Sequence, residues 1–138
     1  MRFMLIAKVD KDAAGPPDPR LIAAIDRLSD DMTKSGVLLE AGGLPSPTAP
    51  IAEIVPDRKG THIQLGGGFV TVTDGPFTEL KELIGGYAVV QVRSKDEAIE
   101  LGRRFMRLHK EILGPSCTAS SEIRQLRDAS GNGSAAKR

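Results

Sequence analysis

Apolar residues occupy both parities of the opening segment, where Phe3, Leu5 and Ala7 alternate with Met4 and Ile6 before the run breaks at Asp10. A short run of this kind reads as a strand buried on both faces, because a half-exposed strand would place polar residues at every second position. Strand one is therefore expected over residues 2–9, stopped by the breaker-rich stretch 10–19. The period then lengthens. Leu21, Ile25, Leu28 and Met32 recur at helical spacing, with Asp18 as a candidate N-cap, Pro19 as the first helical residue and Gly36 as the stop. Val37, Leu38 and Leu39 predict a second strand, and residues 42–56, with four prolines, read as an irregular surface excursion. Two short strands, 61–65 and 69–73, flank Gly66-Gly67-Gly68 and predict a hairpin. Another doubly apolar strand is expected over 86–92, where Tyr87 and Val89 alternate with Ala88, Val90 and Val92. Ser94 with Glu97 forms a capping-box signature ahead of the stripe Ala98, Leu101, Phe105 and Leu108, and Gly114-Pro115 ends that second helix. Residues 118–126 can return as a last strand, while 127–138 offer no large apolar anchor and are expected to be a disordered tail after a single domain over 1–126.

The order strand, helix, strand, hairpin, strand, helix, strand predicts an α+β fold: a ferredoxin-like, mainly antiparallel sheet with two helices on one face. Two helices cover one face only, yet the central strands are apolar on both. The second face is therefore expected to meet a second copy of the sheet in an isologous homodimer, with cover by the 42–56 excursion as the competing account.

With 138 residues, 40% of them hydrophobic, the chain suits one domain with one core. A net charge of +1 gives no global field and argues against nucleic acid, which demands clustered phosphate neutralisation. A single cysteine, Cys117, rules out an internal disulfide and a cysteine-rich zinc site, and with no leader or spanning segment read in the chain a cytoplasmic location is expected.

Asp74-Gly75-Pro76-Phe77 with Glu79, Lys81 and Glu82, followed by Gly85-Gly86-Tyr87, resembles the signature of YCII-related proteins of the branch that bears a DGPF motif. The likeness extends over residues 1–126, through Phe3-Met4, Gly36-Val37-Leu38-Leu39, Gly43-Leu44 and Ser121-Glu122-Ile123-Arg124. It implies a dimeric α+β barrel, without a settled general activity. Thr78 and Leu80 stand where the commonest wording of the family has Ala and Thr. Relatives outside this branch resemble small lyases with a histidine in helix one, but this chain has no histidine between Asp18 and Gly36.

The motif supports a turn reading and a functional one. Asp74-Gly75-Pro76 is turn chemistry that would order the chain ahead of the strand at Gly86. Asp74 is equally a candidate base, with Lys81 stabilising developing negative charge and His109 as the second candidate base, since imidazole titrates near neutrality; a cap at the end of helix two or a solvated ring is the plainer reading of His109. Phe77, Glu79, Glu82 and Tyr87 are the expected ligand contacts beside it, with a core plug for Phe77 and solvated charges for Glu79, Lys81 and Glu82 as the plainer readings. His62 is expected to face solvent or pack, Gly66-Gly67-Gly68 lacks the Lys-Ser/Thr ending of a phosphate loop, and no spacing points to a metal. Arg103, Arg104, Arg107 and Lys110 suggest a basic stripe on helix two, read as a solvated face because Glu100 and Glu111 interleave. Two classes of function follow. One is a cofactor-free lyase or isomerase moving a proton on a small polar or aromatic molecule beside the motif; the other is a non-catalytic ligand sensor or a module that engages a regulatory protein.

Overall fold

The computed structural model describes residues 1–10, 18–44, 57, 59–75 and 82–128. Along the chain these form β1 (Arg2–Asp10), α1 (Pro19–Lys34), β2 (Leu38–Gly43), β3 (Thr61–Gly66), β4 (Phe69–Asp74), β5 (Glu82–Gln91), α2 (Lys95–Leu113) and β6 (Ala119–Gln125). The fold is mixed α+β. A four-stranded sheet in the order β2-β5-β1-β6 has every neighbouring pair antiparallel, and β3 and β4 form a separate two-stranded ribbon.

Both helices begin where the caps predict. The Asp18 carboxylate accepts from the Arg20 backbone N–H at 2.9 Å with Pro19 at the first helical position, and Ser94 Oγ accepts from the Glu97 N–H at 3.3 Å. Each bond satisfies a donor that the first helical turn would otherwise leave orphaned. The Arg20 guanidinium also grips Asp18 at 2.8 Å, and these bonds hold the Asp18 carboxyl below its ordinary range. At the other end of α2, the Gly114 N–H bonds the Lys110 carbonyl with φ at 94°, a conformation suited to glycine.

The helices pack on one face of the large sheet. Phe3 and Leu5 of β1 lie opposite Val90 and Ala88 of β5 on that face, and Phe3, Leu5, Val90 and Val92 close a buried cluster with Met32 of α1 and Ala98 of α2. The buried Gly102 lets α2 approach β6, since a Cβ there would meet Ile123 Cδ1 at 3.3 Å. Residues of the other parity, Met4, Ile6, Tyr87 and Val89, stay partly accessible, and among the described residues nothing covers them.

Three boundaries differ from the sequence expectation. β5 begins at Glu82, four residues before Gly86, because Leu83 and Ile84 pair with Val9 and Lys8 across a register shift that leaves Gly85 out of the ladder. β2 runs on to Gly43, so the expected excursion loses its first two residues to the sheet. At the C-terminal end, the Leu126 N–H bonds the Arg2 carbonyl and Arg2 reaches Asp128 at 3.7 Å, so the first residues of the expected tail touch β1. Residues 129–138, the rest of that tail, lie outside the described residues, as does most of the 42–56 excursion.

The ribbon has the shape the glycines imply. Gly67 and Gly68 take φ of 59° and 82° between paired strands, the backbone of a type I′ turn. Its register places Ile63 opposite Val72 and Leu65 opposite Val70, so one face carries four aliphatic side chains and the other carries His62, Gln64, Thr71 and Thr73. The aliphatic face is bare, with Ile63 67% and Leu65 75% exposed.

Candidate functional site

On the helix-facing side of the sheet the strand register sets side-chain size row by row. One row runs Leu38, Val90, Phe3 and Gln125; the next runs Ala41, Ala88, Leu5 and Ile123; the third runs Gly43, Gly86, Ala7 and Ser121. The first two rows support the buried cluster and the third has almost nothing to fill the space beneath the helices. A cavity of about 360 Å³ results, floored by Ala7, Gly43, Gly86 and Ser121 and walled by Ile25, Leu28 and Met32 of α1 and Leu101 and Phe105 of α2. Close backbone packing enforces the glycine at position 86, where a Cβ would lie 2.9 Å from the Gly42 carbonyl oxygen, whereas a Cβ at Gly43 would meet nothing within 4 Å. The lining is mainly apolar, and its polar side chains include Asp26, Ser29 and Ser121. Exposed Asp26 and Gly43 mark where the cavity reaches the surface. A concave, mostly apolar space of this size with a few polar groups is the usual form of a small-molecule site.

Tyr87 borders the cavity beside β2, but its hydroxyl is engaged on the uncovered face of the sheet, where it donates to Glu40 Oε2 at 2.5 Å. Gly42 makes room for the ring: a Cβ there would sit 2.8 Å from Tyr87 Cε1. The hydrogen bond to Glu40, with burial and the nearby negative charge adding to it, raises the phenol above its ordinary value of 10.0. The opposite edge of the same face carries an ion cluster. Lys8 Nζ lies 2.7 Å from Glu122, which also accepts from Arg124 at 3.1 Å, and Lys8 first and Arg124 second hold the Glu122 carboxyl below its ordinary range.

Of the other expected site residues, the described Asp74 and His109 lie outside the cavity lining. Asp74 ends β4 and accepts from Thr61 Oγ1 at 3.1 Å, while the Gly75 N–H bonds the Gly60 carbonyl at 2.8 Å, so Asp74 helps clasp the base of the ribbon. His109 lies within α2 with Nδ1 2.9 Å from the Phe105 carbonyl, and its ring meets the Phe105 ring edge-on at 4.7 Å. An Nδ1 that donates to this carbonyl carries the proton, leaving Nε2 as the acceptor. Among the described residues no contact joins Asp74, His109 and Tyr87. Phe77, Glu79 and Lys81 lie outside the described residues, and Glu82 is described only as the first residue of β5. The arginines of α2 are partly neutralised, because Glu100 accepts from Arg107 at 3.0 Å and sits 3.6 Å from Arg103. No group of three or more metal-ligating side chains occurs among the described residues, and no helix there is long and apolar enough to cross a membrane.

Sequence reasoning missed the cavity. Its floor draws one small residue from each of β2, β5, β1 and β6, and only the pairing of those strands places them in one row.

Because Tyr87 is the chain's single tyrosine, its phenol can be followed directly by ultraviolet absorbance. Its titration midpoint is expected above 10, and Glu40→Gln should bring it down. A midpoint unmoved by that substitution would show that the Tyr87–Glu40 bond does not persist in solution.

A family model described as the YCII-related domain matches residues 1–108. A curated relative, the uncharacterized protein R00369 of Rhizobium meliloti (strain 1021), is 34% identical over 88 residues, which cover 64% of this chain and 63% of that protein. The chain thus spans less than two thirds of that relative's length. With more than half of its residues matched by the family model, the chain belongs to the YCII-related domain family.

Proposed function

We propose that this YCII-related protein binds a small, mainly apolar or aromatic molecule in the cavity between its helices and the helix-facing side of its sheet. The observation that carries the reading is the cavity itself, about 360 Å³ kept open by the row Gly43, Gly86, Ala7 and Ser121 beneath apolar helix side chains. Burial of a ring there would contribute in proportion to the apolar area removed from water. The resemblance of residues 74–87 to the DGPF branch suits such a role, because β5 runs directly from that motif into the cavity floor.

The catalytic form of this reading is cofactor-free proton transfer, a lyase or isomerase step with Asp74 or His109 as the base and Lys81 stabilising negative charge. Of the two bases, His109 has the better support: it packs against Phe105, and Phe105 lines the cavity. A non-catalytic ligand sensor is the companion reading, and the bare aliphatic face of the β3–β4 ribbon favours contact with a partner protein.

Assembly belongs to the same proposal. The strand order β2-β5-β1-β6, with both helices on one face, fits a ferredoxin-like arrangement. The uncovered face, with Met4, Ile6, Tyr87 and Val89 at its centre, suits sheet-to-sheet packing against a second copy about a twofold axis, as in a dimeric α+β barrel.

One-ring and two-ring aromatic compounds should raise the melting temperature by a few degrees at saturating concentration. Ala7→Leu, which fills the cavity floor, should abolish that shift while leaving the unliganded chain folded. A shift that survives Ala7→Leu places the ligand elsewhere. For the catalytic form, His109→Asn should retain ligand binding and lose turnover; retained turnover removes His109 as the base. For the dimer, light scattering should give twice the chain mass, and Ile6→Lys should give a folded monomer. A monomeric wild-type chain refutes the sheet-face contact.

A further inference from the structure

A cavity selects ligands by the charges it can neutralise as well as by the surface it can dehydrate. The described residues lining this one supply a single charged side chain, Asp26, and no lysine, arginine or histidine. Asp26 and Ser29 lie three residues apart on α1 and therefore share a helix face at the mouth. Ser121 offers a further hydroxyl from the floor, whereas the Tyr87 hydroxyl already donates to Glu40. Among the described residues no cation pairs with the exposed Asp26 carboxylate. A ligand carboxylate or phosphate entering here would lose water beside a like charge without gaining a counter-charge.

We propose that the cavity selects molecules with an apolar body and a protonated amine, the ring lying over the small-residue floor and the ammonium group meeting Asp26 at the mouth with Ser29 as a second acceptor. The proposal rests on the reading of the cavity as the ligand site and adds the ligand's charge class. The geometry suits a ring on a short chain: Leu101 and Phe105 wall the apolar part, and the carboxylate stands where the cavity opens to solvent. The pair at the mouth is accessible to water, so its effect is a preference of about threefold to fivefold, not an absolute requirement.

The test uses the full chain and three probes that share one ring: 2-phenylethylamine, 2-phenylethanol and 3-phenylpropionate, titrated at neutral pH and low salt by calorimetry or amide chemical shifts. The neutral alcohol reports on the cavity, and the ratio of amine to alcohol reports on Asp26. The amine is expected to bind about threefold to fivefold tighter than the alcohol, the carboxylate more weakly than either, and the preference should shrink as salt is added. Asp26→Asn should bring the amine to the affinity of the alcohol without changing the alcohol, and Asp26→Glu should keep the preference. If the alcohol binds and is lost in Ala7→Leu, but the amine binds no tighter or keeps its advantage in Asp26→Asn, the amine proposal is overturned and the cavity reading stands. If no probe binds, or Ala7→Leu leaves alcohol binding intact, both are overturned.

Discussion

The pairing of β1 with β5 is the constraint on which the rest of the structure depends. These are the two inner strands of the large sheet, and their ladder runs from Arg2 opposite Gln91 to Asp10 opposite Glu82. The register sets which side chains face the helices: Phe3, Leu5 and Ala7 opposite Val90, Ala88 and Gly86. A one-residue slip would exchange the two faces of β1, turning Phe3 and Leu5 away from Met32 and Ala98. The same register creates the size gradient along the helix-facing side, so one end of the helix-sheet interface is filled and the other is open. Core and cavity are thus two ends of one ladder.

That gradient sets the packed part of the helix-sheet interface apart from the open part. Phe3 and Val90 are 2% and 0% exposed, so the cooperative burial that offsets chain entropy is concentrated away from Gly43 and Gly86. The open end lacks such packing and is held instead by backbone contacts, among them the Leu44 N–H to the Gly85 carbonyl at 2.9 Å. An apolar ligand there would add contacts that the protein itself leaves unmade.

Much of the architecture was legible in the sequence because local chemistry states it locally. Asp18 before Pro19, Ser94 before Glu97 and the glycines after Leu65 each announced an element within a few residues, and all three elements formed. The double-sided strands likewise announced a sheet with one face more than two helices can cover. The start of β5 is hidden in the sequence because Glu82 belongs to a charged motif, although it pairs with Asp10 of β1. The candidate site was less legible, for a physical reason. Charged and turn residues attract notice one at a time, and in the structure Asp74 bonds at a ribbon base, His109 bonds within a helix turn, and Tyr87 bonds on a sheet face while bordering the cavity. What shapes the cavity is the smallness of residues distant in sequence. The Tyr87–Glu40 bond, which spans 47 positions, was hidden for the same reason.

The small-residue row also sets the depth of the cavity. Its four positions sit on four different strands, and Ala7 and Ser121 already carry a Cβ, whereas one at Gly86 would lie 2.9 Å from the Gly42 carbonyl oxygen. Replacing Ala7 or Ser121 by a larger residue would raise the floor in steps of a methyl or methylene group while the Phe3–Val90 end kept its packing. The depth of the chamber can therefore change by single substitutions during evolution, with the fold as a fixed frame and the shape of the chamber as the variable.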